Sequence, residues 1–84
     1  MDRELVSMIR LLEILNARLQ ESNDCKECKV GGPIVRRREI AVGGSNWTPA
    51  DLKLSCGPGG SHKTCLPSLQ RVAAELAGQY NLEP

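Results

Sequence analysis

Four cysteines and one histidine are the residues of this 84-residue chain whose types and spacing suit chemistry. Cys25 and Cys28 form a C-x-x-C pair, and Cys56 and Cys65 return after a basic middle rich in glycine. His62 stands three residues before Cys65. A two-residue gap lets two thiolates turn toward one ion, and zinc takes four sulfur or imidazole ligands in a tetrahedron. Cys25, Cys28 and Cys65 belong to every version of such a site. Cys56 is the favoured fourth ligand, because Gly57 can turn its amide toward the sulfur and four-sulfur sites are common closed structural sites. His62 is the alternative, since it repeats the spacing of the first pair. The expectation is one structural Zn2+, its negative thiolate cage offset by Lys26, Lys29 and Lys63.

Two other fates compete for the cysteines: two disulfides in an exported protein, or ordinary core residues. The chain starts with charges of both signs, Met1-Asp2-Arg3-Glu4, and Arg10 and Glu13 interrupt the apolar run that follows. That pattern offers no signal-peptide core, and nothing approaches the roughly 20 apolar residues of a membrane span. It implies a cytoplasmic protein in which metal binding is favoured over disulfides. A redox C-x-x-C is disfavoured, because it needs a helix start and Val30-Gly31-Gly32-Pro33 follows it instead.

A staple is needed because the core is thin. The chain has no Phe, one Trp and one Tyr, and a chain of this size buries only about 60–65% of its unfolded surface. The first 21 residues read as an amphipathic helix with Leu5, Met8, Leu12, Leu15 and Leu19 at alternating three- and four-residue steps. That stripe either packs on the domain's own core or dimerises, and its breadth allows both. Residues 34–42 read as a strand rich in β-branched residues at its ends. Thr48, Pro49 and Asp51 look like a helix start, but Leu52, Leu54 and Cys56 alternate at strand period. A strand near 51–56, paired antiparallel with 34–42, is preferred. Thr64 then caps a second helix over 65–79, with Pro67 in its first turn.

The order knuckle, hairpin, then ligand at a helix start resembles the treble-clef and zinc-ribbon classes over residues 25–80. The expected fold class is therefore α+β: an N-terminal helix within 1–24, a zinc-binding module at 25–80 and a tail at 81–84.

Function is less directly written. The acids are scattered and His62 has no second histidine, so no catalytic constellation stands out. The first expectation is a non-enzymatic protein-interaction or regulatory module, meeting a protein partner or a second copy. The alternative is nucleic-acid binding through the basic hairpin around Arg36, Arg37 and Arg38, with Lys26, Lys29 and Lys53 nearby. Trp47 either stacks on a base or partner, or folds back over the core. No membrane and no small-molecule substrate is expected.

Overall fold

The computed structural model describes residues 3–37 and 44–84. Its elements, in chain order, are β1 (Glu4–Val6), α1 (Met8–Leu19), β2 (Cys28–Gly31), β3 (Lys53–Cys56), α2 (His62–Ala77) and β4 (Tyr80–Leu82). They make an α+β domain with two helices and two small sheets: β1 pairs parallel with β4, and β2 pairs antiparallel with β3.

Helix α1 starts later than the apolar periodicity alone suggests. Ser7 is its N-cap and accepts a hydrogen bond from the Arg10 amide at 3.1 Å, satisfying one of the free donors of a helix start. The residues before it are thereby released to form β1. One stripe of α1, Leu11, Leu15 and Leu19, is fully buried against Leu69, Ala73 and Leu76 of α2. Each such leucine contributes about 1.5–3 kcal/mol of burial, so this contact is the main core. Arg18 and Glu75 bridge the two helices at 2.6 Å on the surface.

Helix α2 also begins earlier than expected. Ser61, rather than Thr64, caps it by accepting from the Thr64 amide at 3.2 Å. Pro67 therefore lies inside the helix.

The segment Pro49–Asp51 is a single turn of 3-10 helix capped by Thr48, and β3 follows it. Both signals in that stretch are used, one after the other. The partner of β3 differs from the expected one. It is β2, with Cys28 opposite Cys56 and Val30 opposite Leu54. Residues 34–37 form no strand, and the rest of the expected 34–42 strand lies outside the described residues. The expected tail is structured as well: Leu82 is buried, and β4 supplies the only partner of β1 among the described residues.

Side-chain amides close two strand edges. Asn16 of α1 receives the Val30 amide at 2.8 Å and donates to the Val30 carbonyl at 3.0 Å. Gln20 donates to the Cys28 carbonyl at 3.3 Å. On β4, Asn46 receives the Leu82 amide and donates to its carbonyl, both at 2.8 Å. Trp47 completes that edge by donating its indole N–H to the Tyr80 carbonyl at 3.0 Å. These groups stand in for neighbouring strands and leave no orphaned backbone there. No described helix is long and apolar enough to cross a membrane.

Candidate functional site

The cysteines are brought together, but as two disulfides: Cys25 with Cys65, and Cys28 with Cys56. Their Cα separations are 5.6 Å and 3.9 Å. This corrects the expected metal centre. The thiolates a zinc ion needs are consumed as cystines, and among the described residues no group of three or more Cys, His, Asp or Glu could hold a metal. His62 is exposed at the start of α2 and joins no such group. The zinc-binding and zinc-finger-like descriptions fall with the ion. So does the cytoplasmic expectation, because two disulfides point to an oxidising, extracytoplasmic setting.

Local structure explains the pairing. Cys25 ends a turn of 3-10 helix, Asn23–Cys25, below the first turn of α2, where Cys65 sits. Cys28 opens β2 and directly faces Cys56 across the hairpin. Cys25, Cys28 and Cys65 are fully buried. The Cys65 sulfur lies 3.0 Å from the Asp24 carbonyl oxygen; with no thiol proton in a cystine, this is a packing contact. Gly60 is required beside the second cystine, since a Cβ there would meet the Cys28 sulfur at 2.8 Å and the Cys56 Cβ at 3.2 Å. The cluster ties the 3-10 turn, the hairpin and the start of α2 into one rigid corner.

The other expected contact residues do not converge. Trp47 is 2% exposed and serves the core and the β4 edge, which removes it from any contact surface. Arg37 is held by its amide, which donates to the Asn46 carbonyl at 2.7 Å, and its guanidinium lies 3.7 Å from Asp51. Arg36 is exposed, and Arg38 lies outside the described residues. Lys53 and Lys29 do share a face. The register places both on the outward side of the hairpin, away from the cystine.

The expected helix stripe divides in two. Leu15 and Leu19 are core, whereas Met8 is exposed, Leu12 is half-buried, and Leu5 is 58% exposed within β1 rather than α1. Ile9, just beside them, is 68% exposed. Below Ile9 and Leu12 an open groove of about 670 Å³ runs between α1 and β2, with Glu13 on the helix wall and Lys29 on the strand wall. Neither the Glu13 carboxylate nor the Lys29 ammonium has an ion-pair or hydrogen-bond partner among the described residues. By sequence Ile9 broadens the apolar stripe and Glu13 lies on the solvated side, but helical periodicity does not say which edge of a stripe stays uncovered.

Comparison with protein-family models, curated proteins and solved structures finds no match.

Proposed function

We propose that this protein is a non-enzymatic protein-interaction module, a small extracytoplasmic scaffold whose docking surface is the uncovered edge of α1. The observation that carries the reading is the exposure of Ile9 on the wall of the open groove, with Met8 exposed next to it in the chain. A large exposed aliphatic side chain at the wall of an open groove marks an interaction site, whereas one scattered elsewhere needs no explanation. The cystines support it by fixing β2, the strand wall of the groove, so little conformational freedom is lost there on binding.

Site-specific photocrosslinking from position 9, in the native host, tests this. A benzophenone residue replacing Ile9 is expected to give a discrete adduct that the same group at exposed Ala74 does not give. Adducts equal at both positions, or absent from both, refute the reading.

A second reading rests on Lys29 and Lys53, which share the outward face of the hairpin. It proposes phosphate contacts to nucleic acid, and predicts binding that falls steeply with salt. An absence of DNA and RNA binding at low salt removes it.

A further inference from the structure

We infer that the occupant of the α1 groove is a second copy of this chain, related by a two-fold axis running along the groove. The inference rests on the interaction reading above and adds a partner to it.

The argument starts from the charges on the groove walls. Glu13 projects from α1 and Lys29 from β2, on opposite sides of the same groove. Both side chains are exposed and neither is paired among the described residues. A two-fold axis along the groove turns each helix wall to face the partner's strand wall. Glu13 of each chain then meets Lys29 of the other, giving two equivalent ion pairs from one acid and one base. Isologous contacts require this kind of self-complementarity.

The apolar surface fits the same arrangement. Ile9 and Leu12 line the α1 side of the groove and Val30 lines the strand side. The same rotation lays Ile9 of each chain over the strand wall of the other, beside Val30, and gives an apolar centre with charged pairs at its rim, the usual anatomy of an interface. The neighbouring polar groups do not stand in the way. Asn16 uses its amide fully on Leu12 and Val30, so the groove floor carries no stranded donor.

The test is the oligomeric state of the oxidised full chain and its charge-swapped variants, followed by sedimentation equilibrium across a concentration series. The wild type is expected to dimerise. Glu13→Lys places like charges at both rim contacts, and Lys29→Glu does the same with the opposite sign. Each variant alone is expected to dimerise about tenfold more weakly at low salt. An equimolar mixture of the two variants restores both pairs and is expected to form a heterodimer of near wild-type strength. The double variant E13K/K29E is expected to recover the homodimer. Ile9→Lys is expected to be monomeric, with an unchanged far-ultraviolet circular dichroism spectrum showing that it still folds.

A wild type that remains monomeric at every concentration overturns the inference. So does a dimer indifferent to both charge swaps, because it must then form through another face. A monomer that still gives a position-9 adduct with a different protein refutes the second copy and leaves the interaction reading standing. Absence of any position-9 adduct removes both.

Discussion

The hairpin β2/β3 and the terminal pair β1/β4 are both two-stranded, and neither is large enough to stand alone. They are secured in opposite ways. The hairpin end is tied covalently, by Cys28–Cys56 within it and Cys25–Cys65 beside it. The terminal end has no covalent tie among the described residues and depends on Asn46, Trp47 and Asn81. Asn81 donates to the Gly44 carbonyl at 2.9 Å and receives the Asn46 amide at 3.1 Å. Cystines act chiefly by restricting the unfolded chain. The amide clamp acts within the folded state, by meeting backbone groups that burial would otherwise strand. One end is therefore sensitive to reductant, and the other to single polar substitutions.

Reduction is the strongest way to break this comparison. Full reduction of both cystines is expected to unfold the protein at physiological temperature, because small domains typically lose about 2–5 kcal/mol per native disulfide. Intact mass under non-reducing conditions, four hydrogens below the reduced value, checks the pairing directly. The two bonds are nested: they span 40 and 28 residues, one inside the other. In the loop-closure picture either alone contributes about 4 kcal/mol, but the second to form closes a ring of only about a dozen residues and adds about 3 kcal/mol. Paired Cys→Ala variants measured in urea are expected to show this shortfall from additivity, and strictly additive losses would count against it.

Substitutions at the terminal end come next. Trp47→Ala removes a buried ring and is expected to cost about 3–5 kcal/mol. Asn46→Ala strands both the amide and the carbonyl of Leu82 in a buried setting and is expected to cost about 2–4 kcal/mol. The matching change at the hairpin, Asn16→Ala, is expected to cost less, about 1–2 kcal/mol, since Asn16 is half-buried and lines the open groove. Urea midpoints for the pair read the difference between the two clamps. Equal losses would mean that exposure does not separate them.

The smallest effect is expected at Arg18. Its bridge to Glu75 is short but largely exposed, with side-chain exposures of 38% and 49%. Arg18→Ala is expected to lower stability by less than about 1 kcal/mol, with that loss fading at high salt. A larger loss would make the bridge part of the helix–helix core rather than its rim.

The helices were legible because burial period and capping chemistry are local. Leu15, Leu19, Leu69 and Leu76 announce themselves by spacing, and the Thr48-Pro49 start and the strand period of 52–56 both appear in the folded chain. The errors share one cause, which is long-range pairing. Two thiolates that can ligate one ion are equally able to oxidise, and spacing along the chain does not separate those outcomes. Only the positions of Cys56 opposite Cys28 and of Cys65 beneath the 3-10 turn decide it. The arginine-bearing segment looked like the hairpin partner of β3 by composition. The actual partner, residues 28–31, is held by Asn16 from 14 residues earlier. Asn16 falls among the polar positions of the helix, so nothing local announced that contact. Of the site, Leu5, Met8 and Leu12 were visible as a stripe, while the uncovered Ile9 and the facing Glu13 and Lys29 needed the tertiary arrangement.

The pairing of β1 with β4 has a consequence for the order of events during synthesis. Glu4 lies beside Tyr80 and Val6 beside Leu82, so β1 finds its neighbours only after every other described element has been made. Tyr80 and Leu82 also hold Trp47 and Asn46 in place. Until residue 82 is free, β1 has no ladder and the indole no acceptor. The hairpin and its cystine can close on the nascent chain once Cys56 is exposed, whereas the other half of the molecule must wait. Folding of this domain is thus completed only after β4 has been made, and a chain stalled before Tyr80 would present its apolar residues to whatever chaperone meets it.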